Sequence, residues 1–129
     1  MDNRDFHVTI KGLCFDDQGR VLLVQEHDGV WDLPGGRLEH GEDFHTTLTR
    51  EIHEEMGLEC EILDDQPYWA WSALNRDNRW KVVLCFRIAL PYLNFTPSRE
   101  CVACSYFSAE EISALDVAPQ TRTLAARLA

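Results

Sequence analysis

The chain of 129 residues has no uninterrupted apolar run that approaches the roughly eighteen residues a membrane-spanning helix needs. After Met1 the first residues, Asp2 to Asp5, are polar, and they are not followed by an apolar stretch with a small-residue cleavage site. These absences predict a protein that works in the cytoplasm without a membrane partner. The length is that of one ordinary domain, so we expect residues 1–129 to form a single domain.

Basic residues are scarce. The chain has 12 Lys and Arg against 22 Asp and Glu, which gives a formal net charge of −10. Such a chain repels the phosphate backbone that nucleic-acid-binding proteins neutralise with clustered basic side chains, so we do not expect long nucleic acid as a partner. A small anionic substrate is compatible with this charge, because a bound divalent cation can reverse the local field in one pocket.

The five cysteines do not suggest a disulfide framework, because their number is odd and the start of the chain shows no secretion signal. Cys101 and Cys104 have the spacing of zinc ligands or of a redox pair, but no second pair accompanies them. Cys14 and Cys85 fall within apolar strand patterns, where a thiol behaves as a small hydrophobic side chain. We therefore interpret the cysteines as reduced and structural.

Apolar periodicity and turn residues predict an α/β (α+β) fold in which a mixed β-sheet is sandwiched between helices. The turn-forming Asp16 to Gly19 should join the first two strands as a hairpin, and a turn-rich stretch at 75–78 should join two later strands. Ser108 and Glu111 have the spacing of a capping box, which starts a helix. The expected strands are 6–15, 20–25, 60–72, 80–90 and 102–107, with a short apolar segment at 30–33. The expected helices are 43–56, a short one after Ser108, and 121–128.

The helix at 43–56 has the clearest pattern in the chain. Phe44, Leu48, Ile52 and Met56 are spaced four apart on one face, and Gly57 is placed to end the helix.

Three carboxylates of this helix, Glu51, Glu54 and Glu55, fall within little more than a quarter-turn of each other and border the apolar stripe. Like charges on adjacent turns repel, and the usual relief is protonation or a bound cation. Magnesium suits such a cluster, because it takes oxygen ligands and bridges carboxylates to substrate phosphates. The alternative is a solvated acidic face in which Arg50 pairs with Glu54 four residues on.

The spacing of these residues resembles the Nudix signature G-x5-E-x7-R-E-U-x-E-E-x-G-U, in which U is a bulky aliphatic residue. Leu33-Pro34-Gly35 before the signature also resembles the usual lead-in of the family. Every fixed position is present: Gly36, Glu42, Arg50, Glu51, Ile52, Glu54, Glu55, Gly57 and Leu58. This box covers 36–58, and the strands around it are similar to the family's layout across most of the chain.

The resemblance implies a Mg²⁺-dependent hydrolase, with Mn²⁺ as a possible substitute, that cleaves the phosphoanhydride bond of a nucleoside diphosphate linked to another group. Arg50 would orient a glutamate by a bidentate hydrogen bond, and Gly36 and Gly57 would allow the sharp turn into the helix and the left-handed turn out of it. The metal ligands that the resemblance implies are chiefly Glu54 and Glu55, helped by Glu51, the backbone carbonyl of Gly35 and a later acid, Glu100.

The general base stays open between two acids. Glu51 is the first choice, because it lies on the same helix face as the proposed ligands. Glu100 is the second, since relatives often carry an acidic ligand before the late strand, and its alternative is a solvent-exposed loop carboxylate.

Substrate contacts are harder to assign. Trp71 is a candidate for stacking on a nucleobase, although aromatic residues in strand patterns more often belong to the core. Lys81 and Arg87, and also Lys11, are candidate phosphate contacts, with solvated strand edges as the alternative. The sixteenth residue after the box, Leu74, lacks the proline or tyrosine that marks two subfamilies.

The substrate therefore stays open between a nucleoside triphosphate, a nucleotide sugar and a similar diphosphate. Family members are often homodimers, which is a further expectation. Two other classes compete with the hydrolase: a non-catalytic Nudix-fold module that senses a nucleotide, and an isomerase of the isopentenyl diphosphate type.

Overall fold

The computed structural model describes residues 5–74 and 78–128. In chain order the strands are β1 (Phe6–Leu13), β2 (Val21–Gln25), β3 (Trp31–Asp32), β4 (Gly35–Arg37), β5 (Glu61–Ile62), β6 (Trp69–Leu74), β7 (Trp80–Ala89) and β8 (Ala103–Phe107). The helices are α1 (Phe44–Met56), which follows β4, and α2 (Ala109–Ser113) and α3 (Pro119–Leu128), which follow β8. No helix in the described ranges is long and apolar enough to cross a membrane.

The strands form two sheets. In the larger sheet, β1 lies between β4 and β7, and β5 and β6 pair with different parts of the opposite edge of β7. The β1–β7 pair is parallel and the other pairs are antiparallel, so this sheet is mixed as expected. The smaller sheet is antiparallel, with β2 between β3 and β8. The predicted α+β class with a mixed sheet and helices is confirmed.

Alternation along the strands separates two hydrophobic cores. Ile10 of β1 and Phe86 of β7 pack with the apolar stripe of α1 in a first core. Leu13, Val83 and Cys85 face the other side of the sheet and pack in a second core with residues of α2 and α3. The large sheet is therefore buried on both faces over much of its length, and a functional pocket is expected where this covering ends.

The predicted hairpin between the first two strands forms only beside its turn, and β1 and β2 do not pair along their length. The turn at 16–19 does form, and Phe15 and Val21 make one isolated bridge beyond it. Both edges of β1, however, are taken by β4 and β7, so β2 has no edge to pair with and joins the smaller sheet. A strand rich in apolar residues on both faces is typical of such a central position.

The other differences concern strand ends. The expected strand at 60–72 is divided into β5 and β6, and β4 forms where the sequence indicated only a glycine-rich stop and a loop. In the expected turn at 75–78, residues 75–77 lie outside the described ranges.

The predicted helix at 43–56 is confirmed. The Asp43 side chain caps it by accepting a hydrogen bond from the Thr46 N–H at 2.8 Å, and Gly57 ends it in the left-handed region at φ 68°. The capping box of Ser108 and Glu111 also forms and starts α2. Helix α3 begins at Pro119, two residues before the expected start.

Candidate functional site

A pocket of about 390 Å³ opens where β1, β4 and β7 approach the last turns of α1. Carboxylates line it on the side of α1, and two lysines, Lys11 and Lys81, line it on the side of the large sheet. Because side chains alternate along a strand, these lysines share the face that carries the second core. The lining residues are Thr9, Lys11, Val24, Glu26, His27, Asp32, Leu33, Gly35, Gly36, Arg37, Glu51, Glu55, Lys81 and Glu100.

Glu55 is the buried carboxylate of this pocket, with only 7% of its surface exposed. Its Oε1 accepts a hydrogen bond from the Gly35 N–H at 3.2 Å. Burial raises the pKa of Glu55 to about 8, although the positive charge of Lys11 acts in the opposite direction. The negative charge of ionised Glu55 is therefore not fully balanced by neighbouring groups. A bound cation would stabilise that charge.

Glu51 reaches the same pocket one turn earlier on α1. Its carboxylate lies directly over Gly36, so close that a Cβ atom on Gly36 would be 2.3 Å from Glu51 Cδ. Burial raises the pKa of Glu51, and a hydrogen bond from Arg50 opposes this shift. The sequence assigned the sharp turn to Gly36, but the positive φ, +135°, belongs to Gly35. Gly36 instead leaves room for the Glu51 side chain.

Arg50 forms the bidentate hydrogen bond that the sequence led us to expect, and its partner is Glu42. Arg50 Nε and Nη2 donate to the two oxygens of Glu42 at 2.7 and 2.9 Å. Arg50 Nη1 also donates to Glu51 at 3.0 Å and to Glu54 at 3.2 Å. The bonds from Arg50 lower the pKa of Glu42 to about 2 and raise that of Arg50. Arg50 thus ties the loop before α1 to the acidic face of the helix.

Glu54 does not line the main pocket. Its side chain is half exposed, and it borders a smaller cleft of about 210 Å³ together with Ser98, Arg99 and Glu100. Glu100 lines both the cleft and the main pocket, so it lies between Glu54 on one side and Glu51 and Glu55 on the other. The loop carboxylate that the sequence indicated as the late acid is thus brought to the box glutamates.

The carbonyl of Gly35 is held by Lys11, which the sequence indicated only as a candidate phosphate contact. Lys11 Nζ donates to the Gly35 carbonyl oxygen at 3.3 Å and forms an ion pair with Asp32 at 3.1 Å. Both Lys11 and Asp32 are buried at the foot of the pocket. A lysine within the otherwise apolar pattern of β1 is the signal that could have found this pair, since unpaired lysines are almost never fully buried.

Asp32 is in turn fixed by the start of α3. Gln120 Nε2 donates to both carboxylate oxygens at 3.2 and 3.1 Å, and the Thr121 hydroxyl donates at 2.8 Å. These four residues, Lys11, Asp32, Gln120 and Thr121, are called the Asp32 network below. The network joins the C-terminal helix to the carbonyl of Gly35.

Lys81 is a cation of the pocket without an ion-pair partner among the described residues. Within the described ranges, its ammonium group has neither a hydrogen bond nor an ion pair, and burial together with the charge of Lys11 lowers its pKa. Glu26 lines the same pocket, and burial raises its pKa. A half-buried ammonium group without a partner is suited to an anion such as a phosphate oxygen.

Two expected substrate contacts do not line the pocket. Arg87 pairs with Asp64 at 2.7 Å and lies 4.7 Å from the ring centre of Tyr68. The ion pair with Asp64 holds the Arg87 guanidinium group outside the pocket. Trp71 lies opposite Val83, on the same face of the sheet as Lys81, but its ring is half-buried against the second core.

The cysteines lie where a structural interpretation places them. All five are free thiols, and Cys101 is fully buried in the first core, against which Cys104 packs. Burial raises the pKa of Cys101 to about 12.

The donors fit a divalent cation of the magnesium type. They are carboxylate oxygens and one backbone carbonyl, which are hard ligands. Among the residues that the structure describes, no group of three or more His, Cys, Asp and Glu side chains is arranged so that it could hold a metal ion. Magnesium does not need one, because it commonly takes one or two carboxylates and completes its octahedron with waters and substrate phosphates.

Fold and pocket define an α+β protein with an acidic loop-helix site, and the comparisons with known proteins assign it to a family. The model of the NUDIX domain matches residues 5–128, so the chain belongs to the Nudix family. A MutT-like protein of Streptomyces ambofaciens is 31% identical over 107 residues, which are 82% of this chain and 66% of that protein. The human 8-oxo-dGDP phosphatase NUDT18 is 49% identical over 57 residues, which are 41% of this chain and 18% of that protein.

A solved structure shares the fold across the whole chain. The crystal structure of a MutT protein from Methanosarcina mazei Go1 matches with a TM-score of 0.81 at 20% identity, covering 99% of this chain and 96% of that one. The chain spans about two thirds of the length of the Streptomyces relative, and about half of the length of a Xenopus laevis relative named nucleoside diphosphate-linked moiety X motif 6.

Proposed function

We propose that the protein is a magnesium-dependent pyrophosphohydrolase that cleaves the phosphoanhydride bond of a nucleoside diphosphate linked to another group. The observation that carries this proposal is the buried carboxylate of Glu55, which faces a pocket with a free lysine on its opposite wall. Glu55 belongs to a complete Nudix box. A cation bound by the glutamates and the ammonium group of Lys81 would bind a diphosphate between them.

In this proposal magnesium takes one or two carboxylates from the set Glu55, Glu51, Glu54 and Glu100, with the carbonyl of Gly35 as a further ligand. Magnesium held there would supply neutralisation of the phosphate oxygens and an activated water for attack on phosphorus. Arg50 keeps Glu51 and Glu54 oriented through its hydrogen bonds of 3.0 and 3.2 Å.

Lys81 is the residue that we assign to substrate phosphate. It lines the pocket, and it has no competing partner among the described residues. Trp71 stays a proposal for nucleobase stacking at the margin of the site, because the pairs Trp71–Val83 and Ala73–Lys81 put it on the same face of the sheet. Arg87 is not one of the proposed substrate contacts, because its guanidinium group is paired with Asp64.

The general base is assigned to Glu51 first and Glu100 second. Glu51 lies in the pocket beside Glu55 and is partly buried, which raises its pKa toward the range in which a carboxylate accepts a proton effectively. Glu100 is the alternative because it faces the same space from the opposite loop.

The substrate class is a nucleoside tri- or diphosphate or a nucleotide sugar. Two relatives of this chain are named for oxidised deoxyguanosine nucleotides, 8-oxo-dGDP and 8-oxo-dGTP, and these compounds belong in the first panel. They share with the other candidates the diphosphate that the pocket would hold.

The test is a substrate panel with magnesium in which every product is identified. Release of phosphate, pyrophosphate or two monophosphates reports both the substrate and the bond that is cut. We expect turnover with Mg²⁺ or Mn²⁺ and none in excess chelator, with recovery when metal is restored. Full activity in chelator would exclude the metal mechanism, and tight binding of a nucleotide without any turnover would indicate a sensing module instead.

A further inference from the structure

A loop that precedes β8 docks on the C-terminal end of α1. The Thr96 N–H donates to the Met56 carbonyl at 3.1 Å, and the Ser98 hydroxyl donates to the Glu55 carbonyl at 3.0 Å. The last carbonyls of a helix have no partner within the helix. The loop therefore occupies acceptors that would otherwise need water, and one of them belongs to the residue whose side chain lines the pocket.

The hydroxyl of Ser98 has a second role, because it also accepts a hydrogen bond from the Cys101 N–H at 3.1 Å. The Ser98 N–H donates to the Cys101 carbonyl at 2.9 Å, so the two residues close a turn over 98–101. The Cys101 side chain is fully buried in the first core. The turn is thus attached to α1 at one end and to the core at the other.

Glu100 lies inside this turn. Its own carboxylate has no hydrogen bond or ion pair among the described residues, and it is exposed. The position of the carboxylate between Glu51 and Glu54 is therefore determined by the backbone of the turn rather than by contacts of its side chain. The hydroxyl of Ser98 connects that backbone directly to the last turn of α1.

We propose that Ser98 is a positioning residue that places Glu100 at the metal site by tying the 98–101 turn to the backbone of Glu55. This inference rests on the proposed function, in which Glu100 is a ligand or base at that site. Ser98 lines the smaller cleft but not the main pocket, and we assign it no direct contact with substrate or metal. In this proposal Ser98 affects the metal site only when Glu100 is present. A residue that merely stabilises the fold would affect the site whether or not Glu100 is present.

The test is a double-mutant cycle read out by Mn²⁺ binding to the substrate-free protein, measured by the loss of the free-ion electron paramagnetic resonance signal. Ser98→Ala, Glu100→Gln and the double variant are compared with the parent. We expect each single change to weaken Mn²⁺ binding. Ser98→Ala should weaken it by about tenfold, the lower end of the loss seen when a residue that orients a metal ligand is removed. In the Glu100→Gln background, Ser98→Ala should add little.

The matched control is Ser113→Ala. Ser113 also donates its hydroxyl to a helical carbonyl, that of Glu110, but it does so on α2, away from the pocket. Its loss should leave Mn²⁺ binding unchanged. If Ser98→Ala does not fold, Ser98→Thr and Ser98→Val give the same comparison, because they match in volume and only Thr keeps the hydroxyl. Ser98→Thr should then bind Mn²⁺ more tightly than Ser98→Val.

Equal losses from Ser98→Ala with and without Glu100 would mean that Ser98 serves only the fold, and the proposal would be overturned. No effect of Ser98→Ala, or none of Glu100→Gln, would overturn it as well. Failure of the proposed function would look different, since Mn²⁺ binding would then be insensitive to Glu55→Gln too.

Discussion

At the scale of single residues, the acids of the Nudix box differ in their surroundings although they share a chemistry. Glu42 is held by two short hydrogen bonds from Arg50, which keep it ionised. Glu55 is buried and has a single backbone N–H as hydrogen-bond donor, so its charged form is disfavoured in the protein alone. We infer that Glu42 and Arg50 shape the site, whereas Glu55 is kept in a state that a cation stabilises.

The first prediction concerns Glu55→Gln, which keeps the size of the side chain and its acceptor for the Gly35 N–H. Metal-free protein should be as stable as the parent or more so, because the change removes the cost of keeping the buried Glu55 carboxyl protonated or of ionising it beside Glu51. Catalysis should fall by at least about a hundredfold, the scale lost when a group that stabilises transition-state charge is removed. Denaturant unfolding in chelator and kcat with Mg²⁺ measure the two effects.

Glu54→Gln should lower kcat similarly, with little change in stability because Glu54 is half exposed. The control is His53→Gln on the solvent side of α1, where the exposed His53 side chain lies 3.3 Å from the exposed Glu59 carboxylate. It should leave both quantities near the parent's. Parental rates with ordinary magnesium dependence in the glutamine variants would make Glu54 and Glu55 structural charges.

The second prediction is a pH dependence of stability in chelator. The pKa of Glu55 is raised from 4.5 to about 8, so over this interval the folded protein keeps a proton that the unfolded chain has released. Stability must then fall as pH rises through about 8 and be fully present below about 4.5. Lys11 opposes the shift, and Glu51 and Asp32 add to it.

Unfolding free energies of the parent and of Glu55→Gln at pH 5, 7 and 9 isolate this effect. We expect their difference to grow in favour of the variant as pH increases. A constant difference across the range would show that Glu55 titrates at an ordinary pKa.

At the scale of elements, the approach of β4 to β1 and α1 forms the pocket. A Cβ on Gly35 would lie 2.1 Å from the Ile10 carbonyl oxygen, which is backbone and cannot move aside. A Cβ on Gly36 would instead meet the carboxylate end of Glu51, a flexible side chain. The two adjacent glycines are therefore required for different reasons, one for strand pairing and the other for the site.

The third prediction separates these reasons. Gly36→Ala should fold with a modest loss of stability but should displace the Glu51 carboxylate, so that Mn²⁺ binding and kcat decline together. Gly35→Ala should lower the melting temperature much further, because it combines a positive φ with a backbone clash. Equal effects of the two changes on stability, or full activity in Gly36→Ala, would contradict this division.

Much of the site was predictable because its signals are local. The apolar stripe, the cap residue and Gly57 define α1, and the spacing of the box glutamates follows from helical geometry. The predicted hairpin does not extend beyond its turn, because strands distant in sequence compete for pairing and β1 is paired on both edges. The ion pair of Lys11 and Asp32 was missed for the same reason, since Gln120 and Thr121, which complete it, lie 88 and 89 residues from Asp32.

At the scale of the whole molecule, the Asp32 network joins β1, β3 and α3 beneath the pocket. Its ion pair is buried on both sides, with side-chain exposures of 7% and 8%. Buried pairs often add no net stability relative to apolar residues, but removal of one partner is strongly destabilising because the other is left without compensation. We therefore expect the network to couple the docking of α3 to the carbonyl of Gly35.

The last prediction is that Asp32→Asn lowers the free energy of unfolding by about 3 kcal/mol or more, because the buried Lys11 ammonium group loses the negative charge with which it pairs at 3.1 Å. Lys11→Met should lose less, since Asp32 keeps its donors Gln120, Thr121 and the Leu33 N–H. In the Lys11→Met background, Asp32→Asn should then lower the free energy of unfolding much less. Denaturant unfolding of the single and double variants measures this difference.

Asp64→Asn is the matched control. It weakens a pair whose partner, Arg87, is half exposed, so a much smaller loss of stability is expected. The prediction is contradicted if Asp32→Asn lowers the free energy of unfolding equally with and without Lys11, or no more than Asp64→Asn does. Either result would mean that Asp32 does not stabilise the protein by balancing the charge of Lys11.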